Sequence, residues 1–224
     1  MNPEIEELNG NSPLRLFGEV TPEGLGKGNL GVVLARAGVG KTTFLVQVGL
    51  DFLLRGKSVL HVSVAQTVEH VQSRYDALFN ELAAGMDKGA REALRADLAR
   101  QRMISAFADQ KLWLGRVEET AEVLRERLGF EPAAIIVDSC DWEAGDALQV
   151  AAVLGGAKSY CKLRGIELWV SAQTHRETTG AQPREIPPPC ADYDSLIDVA
   201  LFLEPHPEHV QMRLLKGAGD EVPE

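Results

Sequence analysis

Short apolar runs separated by longer amphipathic stretches set the rhythm of this chain. Leu30–Ala35 (LGVVLA), Ser58–Val64 (SVLHVSV), Ala133–Asp138 (AAIIVD) and Ile166–Ala172 (IELWVSA) are continuous apolar runs rich in β-branched residues. Such runs predict strands buried on both faces of a sheet. Between the first two, Thr42 to Leu54 carries Phe44, Val48 and Phe52 at four-residue spacing, then closes on Arg55-Gly56-Lys57. That is a helix with cations and a glycine at its end. Helical patterns also cover 68–84, 89–101, 120–128 and 146–164, with a turn at Gly85-Met86-Asp87 and stops at Gly129 and Gly165. Met103–Phe107 reads as a short strand, and Val199–Leu203 and Val210–Lys216, parted by Pro205 and Pro207, as a hairpin at the sheet edge. Residues 177–190, with Pro183, Pro187, Pro188 and Pro189, read as a loop. Strands alternating with helices predict an α/β fold with a mostly parallel sheet flanked by helices and a C-terminal hairpin.

The break after the first strand carries the strongest chemical signal. Ala35-Arg36-Ala37-Gly38-Val39-Gly40-Lys41-Thr42 fits the phosphate-loop pattern GxxxxGK[ST], with Ala35 where the first glycine usually stands. Gly38 and Gly40 let the backbone curl so that successive N–H groups, from Ala37 through Thr43, face a phosphate. The helix that follows adds its positive N-terminus. Lys41 supplies a point charge to the β- and γ-phosphates of ATP, the Thr42 hydroxyl a ligand for Mg²⁺, and Thr43 a contact to a further phosphate oxygen. The buried strand before the loop and the helix after it are the context such a motif requires.

Two later strand ends add polar groups. Ala133–Val137 delivers Asp138 to the carboxyl edge of the sheet, where ligands bind in open α/β folds. Asp138 is the candidate to hold Mg²⁺ through a water. Ile166–Ala172 is followed by Gln173-Thr174-His175, and Gln173 is the candidate to sense the γ-phosphate. An exposed loop histidine is often inert, so His175 ranks below Gln173.

Composition narrows the function class. The 224 residues hold 45% apolar and 25% charged residues, the profile of a globular core rather than a disordered chain. The formal charge is −10, from 23 Lys+Arg against 33 Asp+Glu. That balance disfavours a constitutive nucleic-acid binder, which needs a basic footprint. Cys140, Cys161 and Cys190 form no CxxC pair. Neither a zinc knuckle nor a disulfide framework follows, and a reduced cytoplasmic setting is the simple expectation. No apolar run approaches the ~18 residues of a membrane span. The helix around 88–102 mixes both charges, and Trp113, Trp142 and Trp169 read as core or surface anchors.

Phosphate loop, acidic strand end and glutamine-bearing strand end, in this order, resemble the RecA-type P-loop ATPases, nearest the KaiC-, DnaB- and RadA-like subgroup. The similarity runs from about Leu14 to Lys216 and includes the glycine-rich approach Gly24, Gly26, Gly28. It implies a flexible arm over 1–13 and a single RecA-like ATPase domain over 14–224. It implies Lys41, Asp138 and Gln173 as catalytic groups, ATP and Mg²⁺ as cofactors, and Lys216 as a contact to a neighbouring subunit's nucleotide. Two departures matter. The family's catalytic glutamate falls at Ala65, and the arginine of its finger at Ala218. Without the carboxylate the attacking water is poorly oriented, and an arginine finger is worth ~10³–10⁵ in rate. Gln66, Glu69 or the Asp141/Glu143 pair stand nearby as substitutes.

The resemblance therefore implies an ATP/Mg²⁺-binding protein with weak hydrolysis, regulating or assembling through protein partners or copies of itself. An inactive RecA-fold scaffold is the alternative, and a DNA recombination or repair factor a weaker one. The stretch from Arg36 to Thr43 is also similar to the loop of ParA/MinD-type ATPases. Those proteins usually carry aspartates after the second strand, and Ser63-Val64-Ala65 has none.

Overall fold

Alternation along each strand decides which residues face which helices. In the computed structural model, which describes residues 24–64, 66–107, 113–143, 145–174 and 185–217, β1 (Leu30–Ala35) sends Leu30, Val32 and Leu34 to one side. Val33 and Ala35 go to the other. Every β1 residue is buried, as its uninterrupted apolar sequence requires. The expected arm over 1–13, and Ala65, His175 and Ala218, lie outside the described residues.

The elements follow in strict alternation at first. After β1 come α1 (Lys41–Leu54), β2 (Val59–Val64), α2 (Val68–Leu82), α3 (Lys88–Arg100) and β3 (Arg102–Phe107). Then come α4 (Trp113–Leu128), β4 (Ala134–Asp138), α5 (Ala147–Arg164), β5 (Glu167–Gln173), β6 (Val199–Pro205) and β7 (Val210–Lys216). The seven strands form one sheet in the order β3-β2-β4-β5-β1-β6-β7. All neighbours are parallel except β6 and β7, the antiparallel hairpin at one edge. The fold is thus α/β, with α1, α2 and α3 against one face and α4 and α5 against the other.

Several boundaries shift by a residue or two from their sequence expectation, and one helix shifts further. The helix expected at 120–128 starts at Trp113. Gly115 weakens the local helical pattern, but Val117 and Ala121 are fully packed into the core, and burial overrides propensity there. Strand β5 extends to Gln173, which pairs in register with Ala35 at the end of β1.

Polar staples set the layers. Asp198 accepts the Leu30 N–H at 2.7 Å and the Lys158 ammonium at 2.9 Å, so the start of β1, the approach to β6 and the middle of α5 share one carboxylate. Glycine is required where backbones meet bulky rings. A Cβ on Gly31 would lie 2.8 Å from the Trp169 ring, and one on Gly49 of α1 would collide with the Tyr75 hydroxyl from α2. Gly49 thereby sets how closely α1 and α2 approach. No helix among the described residues is long and apolar enough to cross a membrane.

Gly49→Ala is expected to lower unfolding free energy by about 1–3 kcal/mol, the usual range for overpacking a filled core. Urea denaturation followed by circular dichroism measures it; an unchanged midpoint would show that α1 and α2 have room to move apart.

Candidate functional site

The sheet order brings three carboxyl ends together. β4, β5 and β1 are consecutive neighbours, so Asp138, the Ser171–Gln173 segment and the loop after Ala35 share one edge. Alternation sets their direction. Ile136 and Trp169 pack on the α1 face of the sheet, so Asp138, Ser171 and Gln173, at even spacing from them, point to that same face.

There the Asp138 carboxylate is 1% exposed and fully engaged. Thr42 Oγ1 donates to its Oδ2 at 2.6 Å, and Ser171 Oγ donates to its Oδ1 at 2.8 Å. Ser171 also accepts the Ser139 N–H at 2.8 Å, while its carbonyl accepts the Trp142 indole N–H at 2.8 Å. Ser139 sits at φ 66°, a left-handed conformation uncommon outside glycine. The chain thus reverses sharply after Asp138, and Ser171 holds that reversal. Trp142 is buried against Tyr193, with ring centroids 5.8 Å apart.

The glycine-bearing loop between β1 and α1 lies opposite. Gly38 (φ 79°) and Gly40 (φ 116°) take left-handed conformations that curl the backbone into the start of α1. Helices α2, α3 and α5 are capped by the side chains of Thr67, Asp87 and Asp146. The N-terminus of α1 has no side-chain cap and no acidic residue in its first turn. Its positive end therefore faces the cavity. Lys41 Nζ donates to the Ala35 and Arg36 carbonyls, both at 3.1 Å. Burial lowers the Lys41 pKa, and the Asp138 charge acts in the opposite direction.

These groups line a cavity of about 610 Å³, within the ~300–1,000 Å³ typical of ligand pockets. Ala37, Gly38, Gly40, Lys41, Thr42, Thr43, Asp138 and Gln173 all border it. Val39 does not: its side chain packs with the core around α1, and its N–H donates to the Arg36 carbonyl at 3.4 Å. Lys216 lies elsewhere, donating to the Asp194 carbonyl at 2.7 Å and carboxylate at 3.0 Å within its own chain. Asp141, Glu143 and Gln66, named as substitutes for a base, also line the cavity.

Several lining or supporting residues escape motif reasoning. Arg74, two turns into α2, brings a guanidinium to the cavity and donates from Nε to His70 Nε2 at 3.3 Å. Ser171 and Trp142 also line it. The available signal for Ser171 was a hydroxyl inside the otherwise apolar run LWVSA. The same signal marks His61 and Ser63 in β2, on the face that carries Asp138.

His61 is fully buried, with Nδ1 and the Tyr75 hydroxyl sharing a 3.0 Å hydrogen bond. The Arg102 guanidinium sits 4.4 Å above the Tyr75 ring. Among the described residues, His61 Nε2 and Ser63 Oγ have no hydrogen-bond partner. Burial pushes the His61 pKa down to about 4, Asp138 opposing that shift and Arg102 adding to it.

The donor set has a definite chemistry. Backbone curl, uncapped helix end, Lys41 and Arg74 favour a polyanion, while Thr42 and Asp138 offer oxygens suited to a hard divalent cation. No protein-family model matches the chain, and no curated protein matches its sequence.

The buried histidine makes stability depend on pH. Unfolded, His61 takes up its proton near 6.5; folded, near 4. Between these values the unfolded chain binds more protons, so this contribution is fully present above about pH 6.5 and falls as pH drops towards 4, by up to ~3 kcal/mol. Urea unfolding of the wild type and of His61→Gln across this window is expected to give a shallower pH slope in the variant. Equal slopes would place the titration elsewhere.

Proposed function

We propose that this protein binds ATP with Mg²⁺ on a RecA-like P-loop core, hydrolyses it slowly, and acts as a nucleotide-dependent regulatory or assembly protein through protein partners. The observation that carries the reading is the 2.6 Å contact between Thr42 and Asp138. Two residues chosen for Mg²⁺ from separate motifs, 96 positions apart, meet beside an uncapped helix end.

In this reading each residue has a stated task. The backbone from Ala37 to Thr43 and the α1 N-terminus cradle the phosphates. Lys41 leaves the Ala35 and Arg36 carbonyls to bind the β- and γ-phosphates. Thr42 and Asp138 hold Mg²⁺, which supplies charge neutralisation when bound. Ser171 keeps Asp138 aimed. Gln173, paired beside Ala35, lies at the γ-phosphate end. Arg74 supplies a second cation from α2.

Slow turnover follows from what the family resemblance lacks here: a carboxylate at Ala65 and an arginine at Ala218. Asp141 and Glu143 line the cavity as the available water-positioning groups. The charge of −10 favours protein partners over nucleic acid.

Titration with a fluorescent ATP analogue, with and without Mg²⁺, is expected to show binding that Lys41→Ala weakens at least about 30-fold. Thr42→Ala is expected to remove most of the Mg²⁺ dependence. A wild type that binds no nucleotide ends the proposal. In a steady-state phosphate-release assay, Ala65→Glu is expected to raise turnover at least about 10-fold by restoring a base. Normal binding with no turnover in either protein would favour the inactive scaffold.

A further inference from the structure

Helix α5 turns Val150, Leu154, Ala157 and Cys161 inward, where all four are buried. At 100° per residue the opposite face runs through Leu148, Ala152, Gly155, Gly156, Ser159 and Leu163. A helix face turned to water is normally charged or polar. These six residues are uncharged, with the exposed Lys162 at the edge of the stripe and the Glu118 carboxylate of α4 beside Gly156. Their one hydroxyl, on Ser159, is already donated to the Gly155 carbonyl at 2.7 Å. Leu148 and Leu163 are 84% and 81% exposed, the most exposed large hydrophobic residues among those described.

We propose that this face docks a second copy of the same chain, with the two α5 helices antiparallel about a two-fold axis. The spacing is self-complementary. The stripe is symmetric about the peptide between Gly155 and Gly156, with Ala152 and Ser159 equally far from it and Leu148 and Leu163 equally far beyond. A two-fold interface sets residue i of one copy against j of the other, and j against i. Antiparallel helices centred on that peptide therefore place Leu148 against the other copy's Leu163 at both ends. The small residues meet in the middle.

Charge selects this direction. Asp146 caps the N-terminus of α5, and Lys162 and Arg164 occupy its last turn. Antiparallel pairing sets the acidic end of one helix beside the basic end of the other and opposes their dipoles. Parallel pairing would set like ends together. Gly155 fits the same geometry, whereas Gly156 borders the Glu118 side chain of α4, 3.3 Å from where its Cβ would lie. A methyl on Gly155 would meet nothing within 4 Å, so packing inside the chain does not demand glycine there. Its absence of side chain leaves a bare backbone that a second helix can approach closely.

The area defines how tight the pair is. An 18-residue helix is about 27 Å long and about 10 Å wide. That footprint is well below the ~800 Å² per partner of a standard interface. The dimer is therefore weak and concentration-dependent. It involves no residue of the proposed nucleotide site, and its test is made without nucleotide.

Sedimentation velocity of the full chain over a concentration series is expected to show the mass rising from 24.4 kDa towards twice that value. Leu148→Glu alone and Leu163→Lys alone are expected to lose the dimer. Both positions are open to solvent, so circular dichroism and unfolding midpoints should stay at wild-type values. The double variant Leu148→Glu/Leu163→Lys, in which antiparallel pairing joins the introduced opposite charges, is expected to regain it. A wild type that stays monomeric overturns the proposal. So do single variants that associate like the wild type, or a double variant no better than the singles.

Discussion

One buried carboxylate organises the working edge of this fold. Asp138 loses nearly all contact with water, and a buried charge is tolerated only when its hydrogen-bonding capacity is met. The donors come from two other elements, Thr42 at the start of α1 and Ser171 in β5. Three segments that are remote in sequence are thus held to one another by the needs of a single side chain. The strand order makes this arrangement possible, because β5 lies between β4 and β1 and carries Ser171 to the point between them. The left-handed Ser139 and the inward Trp142 then follow, since both bond to Ser171.

Around that carboxylate the charges are set in opposition. Lys41 is partly desolvated and held by two neutral carbonyls, a weaker partnership than an ion pair. The start of α1 presents an uncapped positive end to the same space. Both features cost the loop stability on its own. They make sense for a segment whose partner is an anion, which is the reading proposed for it. The His61–Tyr75–Arg102 cluster behind the site has the opposite character, since His61 and Tyr75 are buried within the core and His61 stays neutral.

What was legible in the sequence was local. Continuous apolar runs announce β1, β2, β4 and β5 because burial on both faces leaves few polar positions in the strand. The curl at Gly38 and Gly40 is legible because those backbone angles select glycine. Asp138 stands out as the first charge after such a run. The strand order is not local, and neither is anything that depends on it. Ser171 earns its role only once β5 is known to lie beside β4. Arg74 reaches the cavity only because α2 packs next to α1. The early start of α4 at Trp113 reflects burial of Val117 and Ala121, which local propensity around Gly115 does not report. Lys216 is a further case: the family resemblance implies its reach towards a neighbour, and only the fold shows that its ammonium rests on Asp194 of its own chain.

The central place of β1 has a consequence for how the chain is made. β1 leaves the ribosome before either of its sheet neighbours, β5 at Glu167–Gln173 and β6 at Val199–Pro205. Synthesis proceeds at ~5–20 residues per second, so β1 waits many seconds for a partner. During that interval Leu30–Ala35 is an unpaired apolar edge, and the glycine-bearing loop after it hangs without Asp138 or Ser171 in place. The nascent protein therefore cannot assemble this cavity domain-end first. It closes only after β5 has emerged with Ser171 and Gln173, long after the loop that begins it.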